Sequence, residues 1–282
     1  MAQTLRDIKA LLSSYGLRPK KRFGQHFLHD GRKMAAIVAA ARIAPGDLVL
    51  EIGPGTGSLS EALLESGARL IAVEIDRDLA PVLEPLRSRF AGAVTLLFAD
   101  VLSGKHEINK DVVNAVAGYD STSFKLIANL PYQVASPLLV NLFLTRSDLT
   151  MAVVTVQREV AQRLTASPGN KDYGPLGIIL GAISDVQQIE RLTPGCFWPQ
   201  PKVDSTVLRL TRRATPLTDN PQALANLLQQ LFSKRRKQLG AILRQVKQPG
   251  HAGPLPEGIQ ATDRPEQLSV MQLVALAEWL SV

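Results

Sequence analysis

Apolar positions along this chain follow two patterns, one at helical spacing and one of short unbroken runs, and the two alternate. Residues 4–15 carry Leu5, Ile8, Leu11 and Leu12 at helical spacing until Gly16 and Pro19 break it, and a second helix is predicted over 31–41. Apolar runs at 47–52, 69–74, 94–98, 124–128 and 151–156 are short and rich in Val, Leu and Ile, and each reads as a buried strand. Helical stretches separate them. One opens at Ser58 and Glu61, which have the Ser-x-x-Glu spacing of a capping box. One is capped by Asp76 and runs to about Phe90, and one takes Ser136 and Pro137 as N-cap and first residue. The segment 105–123 is polar and reads as helix and loop. Strands alternating with helices are the mark of an α/β fold on a parallel sheet.

Beyond residue 157 the pattern changes. A polar helical stretch bears Arg158 and Arg163, and the apolar run within 169–191 fits helix and strand equally well. The stretch Gly195-Cys-Phe-Trp-Pro-Gln-Pro-Lys-Val-Asp-Ser205 reads as an extended loop, 206–210 as a strand and 211–221 as a linker. Asn220-Pro221 opens a helix, 233–243 reads as a basic helix, 249–258 as a Pro/Gly loop, and 268–280 as an amphipathic helix with Ser269 and Gln272 as a second capping box. An α/β domain over 1–212 and a small helical domain over 213–282 are therefore expected.

Candidate chemistry begins at Glu51-Ile-Gly-Pro-Gly-Thr-Gly57, where glycines let the chain turn as it leaves the first strand and present bare backbone to a ligand. The next strand ends in Glu74, about where doubly wound folds put the acid that bonds ribose hydroxyls. A dinucleotide fingerprint needs Gly-x-Gly-x-x-Gly, but here the third glycine comes one residue early, and an acid, Glu51, precedes the loop. An anion there suits a cofactor carrying a sulfonium and an amine better than a pyrophosphate, and the pattern resembles motif I of the S-adenosylmethionine methyltransferases. Asp100 ends the third strand. Ligands of open parallel sheets lie at the carboxyl ends of the strands, so Gly53, Glu74 and Asp100 converge on one cleft, although Asp100 by itself also reads as a turn cap.

The fourth strand ends in Asn129-Leu-Pro-Tyr132, a stiff corner because Pro131 pushes its predecessor toward extended geometry. It resembles the Asn/Asp-Pro-Pro-Tyr-type motif of enzymes that methylate exocyclic amines of bases. The N6 lone pair of adenine is delocalised into the ring, and acceptors that hold both N–H bonds in a pyramidal arrangement localise it. The side-chain oxygen of Asn129 and a carbonyl at Leu130 or Pro131 could do so, and Tyr132 offers a stacking face worth roughly 1–3 kcal/mol per base. The same tetrapeptide also reads as a plain strand-end turn with Tyr132 in the core.

Charge adds a partner. The net charge is +7, with Arg18, Lys20, Lys21 and Arg22 near the start and Lys234, Arg235, Arg236, Lys237, Arg244 and Lys247 near the end, which points to nucleic acid beside the plainer reading of a solvated face. No run approaches the roughly 18 apolar residues of a membrane span, and the N-terminus lacks a signal peptide's apolar core, so no membrane association is expected. The single Cys196 cannot form an internal disulfide, which suits a reducing cytoplasm, and it reads as a buried small hydrophobe. His26, within Phe23-Gly-Gln-His-Phe-Leu28, reads by itself as a structural residue of an anchored loop.

These motifs, with Glu74-Ile-Asp76, Asp100-Val101, Gln157-Arg-Glu159, Phe197-x-Pro-x-Pro-x-Val-Asp-Ser205 and Phe232-Ser-Lys-Arg-Arg-Lys237, occur in an order that resembles the small-subunit (16S) ribosomal RNA adenine dimethyltransferases from about Lys20 onward. The resemblance implies a Rossmann-like S-adenosylmethionine-dependent methyltransferase sheet of seven strands, the last antiparallel, with a small all-helical C-terminal domain that contacts RNA. It implies dimethylation of N6 on two adjacent adenosines in the 3′-terminal hairpin of small-subunit rRNA, within an immature small subunit; no metal is expected, and since no long apolar helix face demands a partner a monomer is expected. Carried over residue by residue, it puts His26, Leu28, Gly53, Gly55, Glu74, Asp100, Val101 and Asn129 around S-adenosylmethionine. Asn129, Leu130, Pro131 and Tyr132 would hold the target, with Phe197 as the second face of an adenine sandwich, and Arg22 with 234–237 would hold RNA. His26 and Gln133 stand where many relatives carry Asn. A large-subunit rRNA methyltransferase of the macrolide-resistance type and a mainly non-catalytic assembly factor are the alternatives, and a nicotinamide oxidoreductase lacks a hydride-relay residue beside the loop.

Overall fold

A computed structural model of the chain describes residues 3–104, 107–246 and 253–281. Lys247, the start of the segment expected at 105 and part of the loop expected at 249–258 lie outside the described residues. The strands are β1 (Phe27–Leu28), β2 (Leu48–Ile52), β3 (Arg69–Glu74), β4 (Val94–Phe98), β5 (Phe124–Asn129), β6 (Leu149–Gln157), β7 (Ser184–Leu192), β8 (Phe197–Trp198) and β9 (Ser205–Arg212). Seven of them form one sheet in the order β4-β3-β2-β5-β6-β9-β7, while β1 and β8 pair separately and antiparallel. The strands β4, β3, β2, β5 and β6 are mutually parallel, and β9, the last in the chain, is antiparallel to β6.

All five residues of β2 are buried, which requires cover on both faces of the sheet and explains why its sequence does not alternate. Helices Leu5–Ser14, Gly31–Ala41, Ser58–Glu65 and Ala80–Arg89 share one apolar cluster with Val49, Leu70, Ala72, Ile127, Val153 and Val207 of the sheet. Helices Lys110–Ala117 and Ala135–Thr145 pack against β3 and β6 outside that cluster. Strand order reverses between β2 and β5, so the loops that follow them diverge and leave a crevice at their carboxyl ends.

The chain divides into two compact units, and the division is not a single cut. One unit comprises the residues up to Arg158 together with Gln187–Thr211; the other comprises Glu159–Val186 and the residues from Arg212 onward. The run left open at 169–191 splits into helix Pro175–Ile183 and β7. That helix joins the second unit because its apolar residues, all but Gly177 and Gly181 of nine, are covered by helices Pro221–Phe232 and Val270–Ser281.

Local details differ from the sequence reading at four places. Helix Ser58–Glu65 starts from Gly57 in a left-handed conformation, so no capping box forms: Ser58 Oγ accepts from the Gln3 N–H, and Glu61 pairs with Arg89. Helix Ala135–Thr145 begins one residue before Ser136, and no side chain caps it. The stretch 195–205 is not wholly loop, since Phe197–Trp198 pairs with Phe27–Leu28. The basic run 234–237 lies in turns ahead of helix Leu239–Val246, because consecutive cations have no apolar face to bury. Thr4, Asp30, Asn220 and the Ser269/Gln272 box do cap their helices.

Gly57 has φ +80°, and a Cβ there would lie 2.8 Å from Leu86 Cδ1. Gly57→Ala should therefore cost about 1–2 kcal/mol, mostly from the left-handed backbone, read as a lower urea midpoint. An unchanged midpoint would show that the loop does not need this conformation.

Candidate active site

The loops after β2, β3, β4 and β5 and the end of β6 enclose a cavity of about 580 Å³ in the first unit. Gly53 and Gly55 line it, with φ of +72° and +60°. A Cβ on Gly55 would meet Phe27 Cε1 at 2.9 Å, so the loop is pressed against β1 from one side with its backbone turned to the cavity. Gly53 stands beside the corner after β5, where a Cβ would lie 3.5 Å from Pro131 Cγ.

Two buried acids stand behind the loop. Glu74, 4% exposed, accepts the Gly55 N–H at 3.2 Å and the Asp76 N–H at 2.9 Å, and burial raises its pKa. Glu51, 1% exposed, accepts the Ser60 hydroxyl at 2.6 Å. Burial, with the Glu74 charge nearby, pushes its carboxyl up to about 8. This corrects the reading of Glu51 as an anion: it lines the cavity but holds its proton at neutral pH. Asp100 is exposed at the rim, with one carboxylate oxygen accepting the Leu102 N–H at 3.0 Å, and Val101 beside it is buried.

The corner after β5 is held from several sides. Asn129 Nδ2 donates to the His26 carbonyl at 3.0 Å, which leaves Oδ1 as the acceptor of that amide. The Pro131 carbonyl accepts the Val134 N–H at 3.1 Å, and the Leu130 N–H donates to the Thr155 carbonyl at 3.2 Å. Tyr132 is half-buried, shares a 2.9 Å hydrogen bond with the Ser205 hydroxyl, and stacks on His26 at 5.9 Å between centroids and 27° between planes. His26 Nδ1 stands 2.6 Å from the Pro199 carbonyl, an acceptor only, so Nδ1 carries the proton and Nε2 is the lone-pair nitrogen of the neutral ring.

The basic loop before β1 is tied to the sheet at Asp76, which is 4% exposed and takes Lys20 Nζ at 2.6 Å and Gln25 Nε2 at 2.8 Å. Lys20 also pairs with Asp78. Gln25 and Gln157 line the cavity, with Asp76 behind Gln25 and Ser205 behind Tyr132; the sequence marks Asp76 as a helix cap and gives the other three no role of their own.

All eight expected cofactor residues line this cavity, as do Leu130, Pro131, Tyr132 and Arg22. Phe197 does not. It is 1% exposed, pairs with Leu28 across β8 and β1, and belongs to the apolar cluster beneath the sheet, so the expected sandwich with Tyr132 is not formed. In the second unit, Lys234, Arg236 and Lys237 are exposed, whereas Arg235 is engaged by Glu266 at 2.6 Å and the Lys171 carbonyl at 2.9 Å, which makes it a structural cation. Among the described residues no helix is long and apolar enough to cross a membrane.

Comparison with known proteins gives a consistent picture. The family model for ribosomal RNA adenine dimethylase matches residues 16–281. The chain is 36% identical to ribosomal RNA small subunit methyltransferase A of Bifidobacterium longum, over 96% of this chain and 91% of that one. Identity is 38% to the protein of the same name from Acidothermus cellulolyticus, over 96% and 92%. A dimethyladenosine transferase from Plasmodium falciparum superposes with a TM-score of 0.71 at 24% identity, over 89% of this chain and 96% of that one. The 23S rRNA methyltransferase ErmE gives 0.66 at 23% identity, over 91% and 100%; at these identities both show the fold alone.

Between the ordinary 4.5 and the raised value of about 8, the folded protein keeps a Glu51 proton that the unfolded chain has lost. Stability must then fall as pH rises through that window, by up to about 1.4 kcal/mol per unit. Glu51→Gln should remove this slope, so that urea unfolding of the cofactor-free protein shows the variant gaining on the parent from pH 5 to pH 8. Parallel curves would mean that Glu51 does not titrate there.

Proposed function

The chain belongs to the ribosomal RNA adenine dimethylase family and is an S-adenosylmethionine-dependent rRNA adenine dimethyltransferase, and from that premise we propose which residues carry the reaction and on what RNA. The cavity suits the cofactor. Its volume lies within the range of about 300–1,000 Å³ typical of small-molecule sites, Gly55 lets the loop pack on Phe27 with bare backbone toward the cavity, and Glu74 ends β3 where a ribose acceptor is needed. Glu74 holds the ribose, Asp100 the adenine amine, and His26, Leu28, Gly53, Val101 and Asn129 the remaining surface. Bound there, S-adenosylmethionine supplies an electrophilic methyl group on a sulfonium.

Asn129 carries this reading. With Nδ2 committed to the His26 carbonyl, Oδ1 accepts one N–H of the target N6. Of the two backbone carbonyls that could take the other, Pro131 O is already bonded to Val134, which favours Leu130 O. Acceptors so arranged would localise the N6 lone pair toward the methyl group, whose bond to sulfur would break as the bond to N6 forms, and the proton of the methylated amine would leave to water. Tyr132, held by Ser205, stacks the flipped base. The first unit is the catalytic part, and the second contacts rRNA through Lys234, Arg236 and Lys237.

The substrate we propose is two adjacent adenosines in the 3′-terminal hairpin of small-subunit rRNA in an immature subunit, in the cytoplasm. The names of the relatives favour this over the large-subunit reaction. A monomer is favoured by the small number of large exposed apolar residues, Tyr15, Ile75, Val203 and Met271 among those described.

Asn129→Ala should abolish transfer of label from S-adenosylmethionine to small subunits lacking the modification while leaving RNA affinity within about twofold; full activity would refute the assigned role. Replacing Lys234, Arg236 and Lys237 by Ala should flatten the slope of log affinity against log salt by about 2–3, at roughly 0.7–0.9 per lost phosphate contact. An unchanged slope would return these residues to the solvated surface.

A further inference from the structure

A second cavity of about 1,100 Å³ adjoins the first in the same unit and shares Gly24, Gln25, His26, Tyr132 and Gln157 with it. Its far walls come from helix Leu5–Ser14, the basic loop and the segment after β8. Four exposed cations, Lys9, Arg18, Lys21 and Lys202, line it without a single carboxylate, and none forms an ion pair with a described residue. The large aromatic group in its far wall is Trp198, half-buried, with Phe27 beside it at 6.4 Å and the Lys9 ammonium 5.4 Å from the ring centroid.

This is the chemistry of a single-stranded nucleic-acid groove: an indole that offers a face to any base, with cations spread around it for phosphates. An acidic peptide would use the cations but has no need of the indole. A mononucleotide would use one or two of the cations and leave the others idle. The wall shared at Tyr132 fixes what the occupant must be, because a strand delivering its target adenosine to Tyr132 carries its neighbouring nucleotides into this space.

We propose that the second cavity is a nucleotide subsite in which a base flanking the target adenosine stacks on Trp198 while its phosphates face Lys9, Arg18, Lys21 and Lys202. The proposal rests on the function given above. It adds that the RNA is gripped in single-stranded form on both sides of Tyr132, so that one adenosine sits in the flanking subsite while its neighbour is methylated. An exposed Lys9 is well suited to cover the indole in free protein, since a base can displace it and leave the ammonium near the phosphate.

The test uses a single-stranded oligoribonucleotide with two adjacent adenosines, and a copy abasic at the positions flanking the target. In the full-length Trp279→Phe variant Trp198 is the one remaining indole. Its fluorescence should be quenched saturably by the intact oligomer and much less by the abasic one. Trp198→Ala should raise KM for RNA about tenfold or more. Its kcat and cofactor affinity should be unchanged, Trp198→Phe should restore most of the loss, and the abasic lesion should cost Trp198→Ala nothing further. If neither quenching nor KM depends on the flanking base or on Trp198, the subsite is refuted while methylation stands. If the unaltered protein transfers no methyl group to any RNA, the proposed function fails, and base-dependent quenching still decides the subsite.

Discussion

Packing at the strand-order reversal governs this molecule. Parallel pairing of β2 with β5 puts two chain exits side by side, and the two loops must clear each other at those exits before they diverge. Glycine solves this on one side and a proline corner on the other, with Gly53 against Pro131 and Gly55 against Phe27. The contact does not merely tolerate the cavity; it defines the cavity's walls. Side chains on those turns would push the corner away from the cleft, and with it the acceptors on Asn129 and Leu130.

A second constraint is the cost of burying carboxyl groups there. Glu74 is offset by two backbone N–H donors, and Glu51 has only a hydroxyl and a neighbour of like charge. Unpaired buried charge is expensive, so Glu51 gives up ionisation instead. The acid that ends β3 thus keeps its hydrogen-bond donors, while Glu51 behaves as a polar neutral group lining the cleft.

Much of this was legible in the residues. Unbroken apolar runs predict β2 to β6, the carboxyl-end rule brings Gly53, Glu74 and Asp100 to one cleft, and the Pro131 corner adds Asn129. What escaped was of two kinds. Local capping at Ser58 failed because a left-handed Gly57 already starts the helix, and a four-residue pattern does not register that competition. Long-range pairing escaped as well: Phe197 is drawn into the core by β1, and Asp76 serves as an anchor for Lys20 and Gln25 besides capping Arg77–Leu79. Charge runs conceal such differences, since Arg235 looks like its neighbours until Glu266 is seen beside it.

The pairing of β1 with β8 has a consequence in time. His26 and the Pro199 carbonyl that orients it are 173 positions apart, so the residues that cover the cleft are made early and find their partners late. Strands β2 to β6 can pair while synthesis continues, and Asp76 and Asn129 can already hold Gln25 and the His26 carbonyl, but β1 has no partner strand and His26 Nδ1 no acceptor until residues 197–199 have left the ribosome. A growing chain therefore lacks the β1–β8 cover of its cleft until that segment emerges, and the cleft is completed late in the folding of that unit.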